Sequence, residues 1–320
     1  MEQQYDVVVV GGGAAGLSGA LALSRARRSV LVVDAGTPRN APADGVHNYL
    51  AREGTPPAEL MAAGRAEVAG YGGEVVEGTV TSAERTGDGF RVGLGDGREV
   101  RARRLLVTTG LVDELPDVPG VRELWGRDVL HCPYCHGWEV RDQAVGIIGT
   151  SAMTVHQALM WRQWTADVTV FLHTAPEPSA DELTQLAARG ISLVEGEVAA
   201  LESRDGRLAG VRLASGELVP RHAVVVATRM TARAGLLTSL GLEPVEMEMG
   251  GHVFGTHIPA DPMGATSVPG VWVAGNVANL QAQVIVAAGA GLTAGAAINA
   301  DLIAEDTRLA VAALTTSGAR

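Results

Sequence analysis

Val7-Val8-Val9-Val10-Gly11-Gly12-Gly13-Ala14-Ala15-Gly16, with Val30-Leu31-Val32-Val33-Asp34 downstream, is the stretch that decides the fold. Four consecutive valines read as a short strand buried on both faces, and the alanine-rich run from Ala14 to about Arg27 reads as a helix. Strand, G-x-G-x-x-G, helix, strand and acid, in that order, form a complete dinucleotide-binding unit. Gly11 permits the tight turn, Gly13 lets a pyrophosphate approach the backbone and the helix N-terminus, and Gly16 permits close helix packing. Asp34 stands where an acid accepts a hydrogen bond from a ribose hydroxyl.

Further along, Val75 to Val80, Phe90 to Leu94 and Val100 read as short strands separated by the tight turns Gly87-Asp88-Gly89 and Gly95-Asp96-Gly97. Leu105 to Val107 is a buried strand ending at Thr108-Thr109-Gly110. A shift that lays Gly11 on Gly149 repeats this outline. Val145 to Ile148 is a strand, Met153 to Arg162 an amphipathic helix, and Val168 to Leu172 a second strand; the Asp205-Gly206 hairpin and the strand Val224 to Val226 follow. The repeat loses the ligand chemistry. Gly13 maps to Ser151 and Gly16 to Thr154, so a Cβ sits where pyrophosphate would approach. Asp34 maps to Leu172, and His173-Thr174-Ala175-Pro176 offers no Arg for a 2′-phosphate. The second unit is expected to bind NAD(P) poorly or not at all; a diverged nicotinamide site using other contacts is the competing reading.

The chain of 320 residues has room for two domains. Its 25 basic residues are all Arg, which excludes chemistries that need a Lys, such as a Schiff base or a P-loop phosphate contact. Against 36 acidic residues they leave a net charge of −11, which disfavours nucleic acid and anionic lipid as partners. The N-terminus opens straight into an apolar strand and no run of 18 apolar residues occurs, so a cytoplasmic protein away from membranes is expected. The softest stretch, Val284 to Ile298, is mostly Ala and Gly.

All the sulfur chemistry available to cysteine rests on one pair, in His131-Cys132-Pro133-Tyr134-Cys135-His136-Gly137-Trp138-Glu139. Pro133 suits a first helical position with Cys132 at the cap. A thiolate there gains from the helix end and from neighbouring imidazolium, and two intervening residues bring the sulfurs within bridging distance. A redox-cycling disulfide follows. A half zinc site completed by His131 or His136, and an inert buried pair, are the alternatives; no metal site is expected, because no further cysteines exist. At the far end, Val271 to Ala274 is a strand, Gly275-Asn276 a turn and Gln281 to Asn299 a small-residue helix, with Thr307 to Arg320 a further helix and tail. A return of this strand to the first sheet would make the first domain discontinuous.

With these motifs in place, the whole chain resembles the low-molecular-weight thioredoxin reductase-like flavoproteins. Cys-Pro-Tyr-Cys-His-Gly-Trp-Glu, the degraded second fingerprint and the Gly-Asn turn resemble their dithiol oxidase branch, which closes the disulfide of natural products such as holomycin and gliotoxin. The resemblance implies an α/β fold of two Rossmann-like domains: an FAD domain from 1–112 and 248–320, and an inserted degenerate NAD(P)-type domain, 113–247, carrying the C-x-x-C. It implies that Gly11, Gly13, Ala14, Gly16 and Asp34 hold the ADP half of FAD, and that Asn48, Thr109, Gly110, Gly275, Asn276 and Gln283 make the remaining contacts. The chain departs from the usual family pattern at Asn276, commonly Asp, at Ala282, commonly Arg, and at His136, commonly Asp.

The implied activity is oxidation of a small dithiol to an intramolecular disulfide, with Cys132 meeting substrate, Cys135 nearer the flavin, and O2 taking the electrons to give H2O2. His136 is the expected acid/base, because an unperturbed imidazole titrates near neutrality, with His131 second. A homodimer is implied as well. Two other readings stay open: an NADPH- or ferredoxin-dependent disulfide reductase acting on a thioredoxin-like protein, and a non-catalytic flavin redox sensor.

Overall fold

The computed structural model describes residues 3–249 and 251–317. Among these, the strands form a seven-stranded, a five-stranded, a three-stranded and a four-stranded sheet. In the first, Gln3–Val10 lies parallel to Val30–Asp34 on one side and Glu99–Val107 on the other, and Glu74–Glu77 extends the parallel edge. Glu99–Val107 forks. Its first half pairs antiparallel with Gly89–Leu94, while Leu105 to Val107 pair parallel with Val271–Val273, so the C-terminal region returns to the first sheet.

Val7, Val8 and Val9 are fully buried because both faces of this sheet are covered. One face carries the helix Ala14–Arg25 and the start of Val284–Ser317, small-residue helices that approach backbone to backbone: a Cβ on Gly291 would collide with the Ala15 carbonyl. The expected separate helix from Thr307 is instead the continuation of this one. No Gly or Pro interrupts Asn299 to Ser317, so nothing stops the helix. Residues 318–320 of the expected tail lie outside the described residues. Val284–Thr316 is long and apolar enough by length and composition to cross a membrane (mean hydropathy 1.4), yet Ala287, Ala294, Ile298 and Leu302 are buried with Leu17, Ala20 and Leu23 on the helix-covered face of the first sheet. The expected strand from Val75 to Val80 is two, Glu74–Glu77 and Val80–Thr86, broken at Gly78-Thr79.

The five-stranded sheet repeats the plan with Val168–Phe171 and Ala223–Val226 parallel to Val145–Ile148, which is followed by the helix Thr154–Trp161. Two neighbouring strands connect the units: Leu111–Glu114 leads out and Arg229–Ala232 leads back, antiparallel, with Glu114 opposite Arg229. His252–His257 and Val245–Met249 complete that sheet. The expected junctions at 112/113 and 247/248 therefore fall inside strands. Ala232, Ala234, Leu237 and Leu242 pack into the first core, which assigns 229–247 to the first unit and leaves 115–228 as the insert.

Candidate functional site

The first cleft opens at the carboxyl ends of the parallel strands, where the chain turns at Gly11, Asp34, Thr108 to Gly110 and Gly275. Gly11 has φ +103°, and a Cβ on Gly16 would sit on the Gly11 carbonyl, so strand and helix meet with no room for a side chain. A Cβ built on Gly13 meets nothing within 4 Å: the backbone beside Ala14, the first residue of the helix, faces open space. The Asp34 Oδ1 accepts the Gly12 N–H at 3.0 Å and Oδ2 pairs with Arg65 at 3.3 Å. This cradle, open at Gly13 and closed at Gly11 and Gly16, fits the ADP half of a dinucleotide. Gly12 and Arg65 are contributions the motif alone does not announce.

The rest of the cleft is braced from within. Thr109 Oγ1 donates to the Arg233 carbonyl at 2.8 Å, and the Gly110 carbonyl accepts the Arg233 N–H at 3.0 Å. Gly275 (φ +77°) abuts Ala15, and the Asn276 amide nitrogen lies within reach of the carbonyls of Asn279, Leu280 and Ala282 at 3.0, 3.3 and 3.0 Å. An amide suits that nest of acceptors; a carboxylate does not. Gln283 stands just before Val284–Ser317, its carbonyl accepting the Ala287 N–H. Asn48, with φ +58°, turns its amide to the Tyr134 carbonyl at 2.5 Å, which ties the first unit to the residue between the two cysteines.

Cys132 caps the single turn Pro133–His136, with the Cys135 Sγ 2.7 Å from its own and no bond between them. The Cys135 S–H donates to Cys132. That hydrogen bond, outweighing burial and joined by the backbone N–H groups of Cys135 and Tyr134 and by Arg39, brings Cys132 down to about 7. The same hydrogen bond, with burial, pushes Cys135 up. Imidazolium is not the source of charge. Burial, helped by Arg39, holds His131 down to about 4, and burial lowers His136, whose ring nitrogens have no partner. Arg39, remote in sequence and silent in every motif, supplies the positive charge. Gly137 lets this turn lie on Trp164, since a Cβ there would be 2.9 Å from the indole ring. Trp138 is 65% exposed, with Arg141 stacked 4.1 Å from its ring centre.

A family model, pyridine nucleotide-disulphide oxidoreductase, matches residues 5–291. The chain belongs to that family. Among relatives of this pyridine nucleotide-disulphide oxidoreductase, thioredoxin reductase tcpT of Claviceps purpurea (strain 20.1) is 30% identical over 312 residues, covering 94% of this chain and 95% of the relative. The crystal structure of HlmI superposes with a TM-score of 0.90 at 47% identity, covering 98% of this chain and 96% of that one. An oxidoreductase from Agrobacterium tumefaciens gives 0.88 at 36%, over 94% and 99%. The protein is thus an oxidoreductase of the thioredoxin reductase type, from a family of flavoproteins.

The oxidoreductase's second cleft lies ahead of the helix Thr154–Trp161, beside Ser151. Ser151 Oγ accepts the Met153 N–H at 3.3 Å, and the Ser151 carbonyl accepts the Thr154 hydroxyl at 2.6 Å. The cavity beside it, about 250 Å³, is lined by Leu172, Pro176 and Pro178 and carries Glu177 and Glu182. His173 Nδ1 is taken by the Val198 N–H at 3.1 Å.

Proposed function

We propose that this flavoprotein oxidises a small-molecule dithiol to its intramolecular disulfide through Cys132 and Cys135, with FAD as cofactor, in the making of or self-protection from a sulfur-containing natural product. The observation that carries the reading is the second cleft: Ser151, at the position matching Gly13, adds a side chain that takes the Met153 N–H, and Glu177 and Glu182 on the cavity wall disfavour a nicotinamide dinucleotide by their charge. Electrons then enter from thiols.

Gly11, Gly13, Ala14, Gly16 and Asp34 would hold the ADP half of FAD, with Thr109, Gly110, Gly275, Asn276, Gln283 and Asn48 around the remainder. When bound, FAD supplies a two-electron acceptor that O2 reoxidises with release of H2O2. In the oxidised protein a substrate thiolate attacks Cys132 Sγ, the Cys132–Cys135 bond breaks, and a mixed disulfide forms. Burial disfavours a free Cys135 thiolate, so a proton reaches its sulfur as it departs. His136, kept neutral by burial, takes the proton of the incoming thiol and returns it to Cys135. The substrate's second sulfur then attacks the first, and Cys132 leaves readily because its thiolate is the stable form near pH 7. The substrate has lost two electrons and two protons: the protein keeps the electrons and one proton as the Cys132 thiolate and the Cys135 thiol, and the second thiol's proton passes to solvent.

Anaerobic mixing tests this. Flavin bleaching by a small dithiol but not by NADPH supports it; rapid bleaching by NADPH overturns it in favour of a nicotinamide-linked reductase. Slow reoxidation by air, with no turnover of any dithiol, would point to a redox sensor. The same reading takes the protein as a homodimer, with the exposed Leu292, Ile303, Leu309, Val311 and Leu314 as an apolar flank for a second copy; a monomer in sedimentation velocity would contradict that.

A further inference from the structure

We propose that the segment from Arg39 to Glu53 is a strap fastening the insert to the first unit with its dithiol turned inward, and that Arg39 and Asn48 are positioning residues for the reaction. This rests on the function proposed above, since it concerns how the two sulfurs are held at the flavin site.

Among the described residues, every hydrophobic cluster lies wholly on one side of the junction. Those of the insert draw on residues 115–226, and those of the first unit on residues before 115 and after 229. Units that share no core are free to shift against each other unless something else fixes them. The segment from Arg39 to Glu53 touches the insert or its connections at four places. Arg39 grips Asp113 through both carboxylate oxygens, and Asp113 accepts the Thr228 hydroxyl at 3.0 Å; Asp113 lies on the outgoing strand and Thr228 directly before the returning one. Pro42 lies against Gly126, where a Cβ would be 2.7 Å away. His47 Nε2 is 3.5 Å from Glu139, and Asn48 donates to the Tyr134 carbonyl.

The strap is itself stiff. Val46 and Thr55 form an antiparallel bridge, and Glu53 receives both the His47 ring at 2.6 Å and the Asn48 N–H at 2.8 Å. Asn48 keeps a left-handed backbone that places its amide on Tyr134. One end of the segment therefore fixes both chain crossings, and the other fixes the turn that carries the sulfurs. Electron transfer from a dithiol needs close approach, so loosening either end slows the step by letting the sulfurs drift from the flavin site.

The test uses holoenzyme carrying Arg39→Met with Asn48→Ala, bleached anaerobically with dithiothreitol. The limiting bleaching rate is expected to fall about tenfold or more, with the half-saturating dithiothreitol concentration within about twofold of wild type and Arg39→Lys recovering part of the rate. A wild-type limiting rate in the double variant would overturn the proposal. A second measurement needs no turnover: pulsed EPR between nitroxides at Ala66→Cys and Ala187→Cys in a Cys132→Ser, Cys135→Ser background. One narrow distance is expected with the strap intact, and a broadened or second distance with Arg39→Met alone; an unchanged narrow distance overturns the strap. If dithiothreitol fails to bleach the wild type, the proposed function falls while the EPR result still decides the strap.

Discussion

Arg39 Nε reaches Asp113 Oδ2 at 2.6 Å and Arg39 Nη2 reaches Oδ1 at 2.7 Å, a two-pronged ion pair against a nearly buried carboxylate. Burial alone would raise the Asp113 pKa, but Arg39, with smaller help from His131 and the Thr228 hydroxyl, holds it below the usual carboxylate range. A depressed folded pKa contributes stability above the unfolded value near about 4, and that contribution is lost as pH falls through the folded value. Asp113→Asn is expected to cost about 3 kcal/mol at pH 7 and to flatten the acid side of the stability curve, read by chemical denaturation from pH 3 to 8. An acid limb as steep as wild type would refute the assignment.

Cys132 titrates near pH 7 in the reduced protein, so its alkylation by iodoacetamide should rise through that pH and level off by about pH 8. Cys135→Ala removes the leading cause and moves the midpoint towards the ordinary value of about 8.5. Arg39→Met moves it in the same direction by less. Identical profiles in all three proteins would show that neither partner holds the thiolate.

Gly13 and Gly16 stand three residues apart and should fail in different ways. Gly13→Ala meets no protein atom, so the protein is expected to fold with unchanged apo stability while losing flavin affinity by at least about tenfold, measured by fluorescence titration. Gly16→Ala collides with the Gly11 carbonyl and should lower the melting temperature even without flavin. Tight flavin binding by Gly13→Ala would place the dinucleotide elsewhere.

Asn276→Asp sets a carboxylate among the carbonyls of Asn279, Leu280 and Ala282. The loss of about 1 to 3 kcal/mol should appear as a lower melting temperature at pH 8, partly restored near pH 4, where the acid is protonated. A variant as stable as wild type at both pH values would mean that the amide is not bracing the turn.

The first cleft was legible because its determinants are local: a valine run, three glycines and an acid within one strand-helix-strand unit dictate their own geometry. The C-x-x-C was legible for the same reason, being one turn long. Arg39 was not, because nothing near Pro38 or Asn40 marks it; only folding brings it to Asp113, Thr228 and the sulfurs. The source of charge at Cys132 was misjudged on that account, since burial strips His131 of the proton a sequence grants it. Placing the second junction at 247/248 failed similarly, because residues 229–247 form a strand, a short helix and another strand that look the same whichever core they join. Ala232, Leu237 and Leu242 are settled by contacts with strands more than a hundred residues away.

Glu114 and Arg229 face each other across neighbouring strands, so the polypeptide departs and comes home at a single doorway. Everything from Leu115 to Thr228 hangs from that doorway as a pendant, and a tight hairpin joining its two posts would cut the pendant away without breaking the parent sheet. Such an arrangement lets a lineage rebuild the pendant alone while the parent sheet stays as it is.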